Sequence, residues 1–221
     1  ALAIEAIAAG DGATSTIVQV NNLVAGILNG YGSPAQKEKF LRPLARGEML
    51  GAFCLTEPHT GSDAGAITTR AERKGGEYVL NGVKQFVTSG KNADIAIVFA
   101  VSDKTAGKKG ISAFLVATAN PGYQVARIEE KSGQHASDTA QIVLEDCRIG
   151  AGLLLGEEGL GYRIALANLE SGRINVAAQS VGMASAAFAA ALAYARERKS
   201  FGKTIIEHQA VNFRLADMAT Q

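Results

Sequence analysis

The sequence predicts an α+β chain in three stretches: a helical segment, a β unit, and the start of a second helical segment. Three observations carry this. Apolar residues recur at helical spacing up to about residue 47. Between Met49 and Ile149 the chain breaks into short β-branched and aromatic runs separated by Gly, Asn and Pro signals. From Gly159 the helical period returns. Strands grouped between helices, rather than alternating with them, argue against a βαβ order. The domain boundaries expected are 1–47, 48–150 and 151–221.

In the first stretch, Gly10-Asp11-Gly12 is a break, and Ile17, Val20, Asn21, Val24 and Leu28 form one helical face. Asn29-Gly30-Tyr31-Gly32 should end that helix on a left-handed glycine. Ser33-Pro34 restarts it, with Ser as N-cap and Pro at the first helical position. Lys37, Lys39 and Arg42 are placed on the wet side, and Pro43 should end or kink the helix.

The second stretch opens with Met49–Leu55, an apolar run that reads as a buried strand stopped by Pro58. Ile67–Arg73 alternates. Gly75-Gly76 and Asn81-Gly82 are two hairpin signals on either side of Tyr78-Val79-Leu80, and Val83–Thr88 continues. Ile95–Phe99 is a strand buried on both faces. Ile111–Val116, Tyr123–Ile128 and Gln141–Leu144 complete a set that suggests a β-barrel or sandwich. In the third stretch Tyr162, Leu166, Leu169, Arg173, Ala177, Ala184, Phe188, Ala191 and Ala195 fall on one stripe. Gly172 and Gly182 lie inside this helix, and a second helix is expected from near Ile205.

Composition bounds the function. Hydrophobic content of 47% and charged content of 19% are those of a globular protein. A net charge of +1 gives no reason to expect nucleic acid or an anionic membrane as partner. No uninterrupted apolar run approaches bilayer length. Cys54 and Cys147 have no metal spacing and suggest a reduced, intracellular protein, and His59, His135 and His208 are too scattered for a zinc site. No signal or transit peptide is visible. Ala1–Ile7 begins inside one helical pattern and Phe213–Gln221 stops inside another, so a fragment of a longer polypeptide is expected.

Four strings stand out. In Thr56-Glu57-Pro58-His59-Thr60-Gly61-Ser62-Asp63 a strand ends in a turn whose backbone N–H groups and hydroxyls suit a flat, polar ring. Lys84–Gly90 is a strand with an aromatic, Phe86, and a hydroxyl, Thr88, two residues apart. Arg196–Lys203 is a basic helix end, where such residues often serve only the dipole. Glu170-Ser171-Gly172-Arg173 could be a helical ion pair. Gly156-Glu157-Glu158-Gly159-Leu160-Gly161 is not a dinucleotide fingerprint, and its two acids would repel a phosphate.

In this order, over essentially the whole chain, the strings resemble the acyl-CoA dehydrogenase family: its Thr-Glu-Pro-x-x-Gly-Ser-Asp signature, its second flavin strand, and its Arg-x-x-Phe-Gly segment followed by Gln. Thr60 departs from the usual small residue, and Phe86 stands where many relatives have Trp. The resemblance implies FAD as cofactor. Phe53, Leu55, Thr56, Gly61 and Ser62 would form one side of its site, with Thr56 toward the pyrimidine. Phe86, Val87 and Thr88 would form the other, with Thr88 near N5. Arg198, Ser200, Phe201 and Gln209 would contact the diphosphate and adenosine of an FAD held mainly by a neighbouring subunit, so a homo-oligomer, a dimer of dimers, is implied. Ser62, Glu170, Ser171, Gly172 and Arg173 would border the acyl-CoA.

The implied reaction is α,β-dehydrogenation to a trans-2-enoyl-CoA, with the pro-R α-proton taken by a Glu and electrons passed to an electron-transfer flavoprotein. In most members that Glu lies well beyond the Arg-x-x-Phe-Gly segment, here after Gln221. In a minority it immediately precedes the Arg aligned with Arg173, here Gly172. The chain is therefore expected to lack its base and to be inactive alone. Glu57 and Asp63 suit structural roles in the turn, and Glu170 is one helical step off. An acyl-CoA oxidase, a flavin monooxygenase or a non-catalytic flavin- or acyl-CoA-binding module are the alternatives. A bacterial cytoplasmic or mitochondrial matrix location follows from the resemblance.

Overall fold

The structure, a computed structural model, describes residues 1–221. It divides into two compact units, Thr16–Arg173 and Ala1–Ser15 with Ile174–Gln221.

The larger unit contains most of helix α2 (Gly12–Tyr31) and a helix that starts as α3 (Pro34–Gln36), widens to a π turn at Lys37–Leu41 and ends as α4 (Arg42–Arg46). The expected restart is present: Ser33 accepts from the Gln36 N–H, and the Gln36 side chain caps back, a full capping box with Pro34 inside it. One expectation fails: neither Gly30 nor Gly32 adopts a left-handed conformation. Pro43, expected to end or kink the helix, does not end it at once: the helix runs on to Arg46. Proline follows a π turn, where the bonding is already shifted, and Gly47 at φ 73° makes the left-handed cap instead.

The sheet has eight strands: β1 (Gly51–Cys54), β2 (Arg70–Lys74), β3 (Glu77–Thr88), β4 (Ile95–Val101), β5 (Ile111–Ala117), β6 (Tyr123–Ile128), β7 (Thr139–Gly150) and β8 (Leu154–Leu155). Their order is β6-β7-β3-β2-β4-β5-β8, with β1 parallel to β4. The sheet folds over itself, since Tyr78 of β3 and Phe114 of β5 stack with ring centroids 4.9 Å apart. Leu80, Val87, Val98, Val116 and Ile142 fill the inner core. A second core lies on the outer face, where Ile95, Ile97 and Phe99 meet Val24, Ile27 and Leu28 of α2 with Phe40 and Leu44. Alternate residues of β4 thus serve two cores, which is why it reads as an unbroken apolar run.

Gly75-Gly76 makes the expected two-residue hairpin between β2 and β3. Asn81-Gly82 does not turn the chain. β3 runs straight through it, and the β3–β7 register slips between Leu80 and Gly82, a bulge. Gly82 has φ 155°, and a Cβ there would strike Thr69. Close backbone approach, not a turn, is what the glycine permits.

In the smaller unit, α1 (Leu2–Gly10) meets the later part of α5 (Gly161–Glu197). Gly182 of α5 lies close against the Glu5 carbonyl, and the Gln179 amide donates to Gly12 O at 2.7 Å. The stripe expected on α5 is only partly the buried one. Ala195 is buried and Tyr162, Leu169 and Phe188 are half-buried, but Leu166, Arg173, Ala177, Ala184 and Ala191 are exposed, while Ile164, Ala165, Gln179 and Gly182, off the stripe, are buried. Small residues on both faces left the period ambiguous. By length and composition α5 is long and apolar enough to cross a membrane, although no uninterrupted apolar run was evident in the sequence. Its apolar character is spread over many alanines between Arg173 and Arg196, interrupted by Asn175, Gln179, Ser180 and Ser185. The chain then forms a hairpin of β9 (Lys199–Ser200) and β10 (Lys203–Thr204), a 3-10 turn at Ile205–Glu207, and α6 (Gln209–Thr220). The second helix therefore begins four residues later than expected.

Candidate functional site

In the larger unit two strings predicted separately run side by side. The Gln85 N–H donates to Thr56 O at 2.8 Å, and Lys84 Nζ donates to Leu55 O at 3.0 Å. Beneath them lies an ion pair that sequence reasoning missed. Lys84 Nζ meets Glu57 Oε1 at 2.8 Å, with 0% and 1% of the two side chains exposed. The other Glu57 oxygen accepts from the Thr68 N–H at 2.7 Å and the Thr68 hydroxyl at 2.9 Å, and the Thr69 N–H reaches Oε1 at 3.0 Å. Glu57 is structural, as expected, but it spans segments rather than capping its own turn.

Burial by itself would raise the Glu57 carboxyl. The Lys84 charge and the hydrogen bonds from Lys84, Thr69 and Thr68 outweigh it and hold the pKa at about 2. Burial lowers the Lys84 pKa, partly offset by Glu57.

Above this pair the backbone is strained. A second register slip between Lys84 and Val87 puts Phe86 at φ 56°, and Ser89 follows at φ 59°. The slip inverts strand parity. Lys84, Gln85 and Val87 go inside and the Phe86 ring is left 63% exposed. Non-glycine residues at positive φ cost about 1–2 kcal/mol and gather at functional sites. The parity change also explains why Lys84 escaped the sequence reading: unbroken alternation would have placed it on the same face as Phe86.

Several polar groups here have no partner inside the protein. The hydroxyls of Thr56 and Thr88 are half-buried and make no hydrogen bond, and the Thr56 N–H also has none. Thr88 lines a cleft of about 370 Å³ with Thr16, Lys131, Gln134, Ser137 and Thr139, where the buried Ser137 hydroxyl is unpaired. Half-buried donors without partners fit a ligand rich in carbonyls and ring nitrogens, the donor–acceptor chemistry of an isoalloxazine. The Lys131–Thr139 contribution was not legible, because Glu129–Asp138 is polar without period.

The remaining predicted residues divide by place. Phe53 packs its ring on Phe99 at 5.0 Å, and Leu55 and Val87 are buried in the two cores, so only their main chains can face a ligand. Gly61 and Ser62 are exposed in the turn, with Gly61 beside the Thr56 methyl. Glu170, Ser171 and Arg173 are exposed on α5, and Gly172 lies near Leu23. The Glu170–Arg173 ion pair that the spacing allows does not form, and Ser171 donates to Asn168 O.

In the smaller unit Phe201-Gly202 is the two-residue loop of the β9–β10 hairpin, with φ 51° and 79°. This is the sign pattern of a type I′ turn, which favours Asn-Gly. A phenylalanine here, 96% exposed and edge-on to His208, is poorly explained by folding alone. Arg198 and Ser200 flank the turn and Gln209 is the first residue of α6.

Known proteins share the order of these segments. Residues 1–48 match the family model of the acyl-CoA dehydrogenase N-terminal domain, 52–147 that of the middle domain, and 159–221 that of the C-terminal domain. The chain belongs to the acyl-CoA dehydrogenase family. It is 46% identical to the short-chain specific acyl-CoA dehydrogenase of Megasphaera elsdenii, over 100% of this chain and 58% of that protein. A chain in a structure described for the electron transferring flavoprotein of Acidaminococcus fermentans superposes with a TM-score of 0.96 and 46% identity, over 99% of this chain and 58% of that one. A glutaryl-CoA dehydrogenase of Mycobacterium smegmatis, solved with FADH2, gives 0.91 and 34%, over 99% and 55%. The chain thus spans little more than half the length of these relatives.

Proposed function

We propose that these residues belong to an FAD-dependent acyl-CoA dehydrogenase that converts a short-chain acyl-CoA to its trans-2-enoyl-CoA and passes electrons to an electron-transfer flavoprotein. The observation that carries the flavin reading is the set of unpaired donors, Thr56 N–H and the Thr56 and Thr88 hydroxyls, beside the exposed Phe86 ring. Bound FAD supplies the two-electron acceptor for the β-hydride. Thr56 and Thr88 orient the ring and favour its reduced, anionic form by donating to it. The Phe86 ring shields it from water.

Arg198, Ser200, Phe201 and Gln209 reach the diphosphate and adenosine of a second subunit's FAD, because a guanidinium fork matches phosphate oxygens and an exposed aromatic stacks on a base. Ser62 and Glu170–Arg173 border the acyl-CoA. The general base comes from none of Glu57, Asp63 or Glu170: the first is committed to Lys84, the second suits a structural role in its turn, and the third is one helical step off the position the base would take. With Gly172 offering no side chain, the 221 residues alone are incompetent for turnover. Residues 1–47, 48–150 and 151–221 are parts of the helical, β and second helical domains, and the exposed apolar face of α5 packs against further protein. Short-chain specificity is supported by the name of the Megasphaera relative. Bacterial cytoplasm and mitochondrial matrix both suit such an enzyme.

The test is anaerobic mixing of the intact, flavin-loaded protein with butyryl-CoA. Bleaching of the flavin band with formation of the enoyl-CoA is expected. Hydrogen peroxide with acceptor omitted would instead mark an oxidase. A colourless protein that takes up no FAD would contradict the proposal.

A further inference from the structure

The Lys84–Glu57 pair has no role in the proposed chemistry, yet it is buried where an apolar pair would pack at less cost. Its connections suggest why it is charged. Lys84 Nζ donates both to Glu57 Oε1 at 2.8 Å and to Leu55 O at 3.0 Å. The Leu55–Thr56 peptide is trans, so its C=O and N–H point in opposite directions. A lysine that holds the Leu55 carbonyl from below therefore turns the Thr56 N–H away from the core. That N–H is one of the donors with no partner in the protein. Glu57 fixes the lysine in turn, because its carboxylate is anchored by Thr68 and Thr69.

We infer that Lys84 is a positioning residue: held by Glu57, it aims the Thr56 N–H at the flavin and so tunes the balance between oxidised and reduced cofactor. This rests on the flavin reading above. A purely structural ion pair would change stability without changing the flavin. A positioning pair changes the flavin even when the fold is intact.

The experiment uses the intact protein loaded with FAD. Glu57→Gln keeps the lysine contact to Leu55 O. Lys84→Met/Glu57→Gln removes it without leaving a buried charge, so it preserves the fold, whereas Lys84→Met alone strands the Glu57 carboxylate. Visible spectrum, FAD affinity and two-electron potential are read for each. The double variant is expected to show a shifted flavin spectrum and about a tenfold fall in affinity for reduced relative to oxidised FAD, a drop of about 30 mV. Glu57→Gln should fall between it and the wild type. A double variant that folds and binds FAD with the wild-type spectrum and potential overturns the inference and leaves the flavin reading standing. Wild-type protein that binds no FAD overturns both.

Discussion

Lys84 and Glu57, twenty-seven positions apart, meet at 2.8 Å with almost no solvent contact, and tie the Thr56 string to the Phe86 string. Removing one partner strands the other. Lys84→Met should therefore destabilise the protein by about 3–5 kcal/mol in urea unfolding, and adding Glu57→Gln should recover most of it.

The same pair sets an acid limit. The folded-state pKa of Glu57 is lowered to about 2, below the ordinary value of 4.5 for a glutamate, so the unfolded chain binds the proton first. Its contribution to stability is fully present above about pH 4.5 and is lost as the pH falls toward 2. Unfolding free energy measured across that window should fall more steeply for wild type than for Glu57→Gln.

Gly82 is a second test, of the bulge. Alanine there would have to adopt φ 155° and push into Thr69. Gly82→Ala should cost about 2 kcal/mol or more, whereas Gly76→Ala, with open space at the Cβ, should cost less than 1 kcal/mol. Thermal unfolding of the two variants separates a bulge from a hairpin turn.

Phe201 is held at φ 51° with its ring in solvent. Phe201→Asn suits the type I′ turn better and should raise stability by about 1 kcal/mol. If the ring serves cofactor binding between subunits, the same variant should lose FAD more readily on dilution, which flavin fluorescence would show.

Much of this was legible in the sequence because local chemistry decided it. Ser33-Pro34-Ala35-Gln36 specifies its own capping box, Gly75-Gly76 its own hairpin, and the run of β4 its double burial. The strings around Thr56 and Thr88 were readable as strand ends and do come together. What escaped depended on register. Asn81-Gly82 has hairpin chemistry, but pairing with β7 overrides it. Two slips in β3 then hid the inward turn of Lys84 from any count of alternation. On α5, alanine and glycine on every side gave several equally plausible stripes, and only packing against Glu5 and Gly12 selects one for its later part.

The central claim is that Thr56 and Thr88 address one flavin, and titrating the apoprotein with FAD while following the visible spectrum tests it most directly. The account predicts saturable binding with a perturbed flavin spectrum, and about tenfold weaker binding for Thr56→Ala/Thr88→Ala at unchanged stability. An unperturbed spectrum, or equal binding by the double variant, would contradict it.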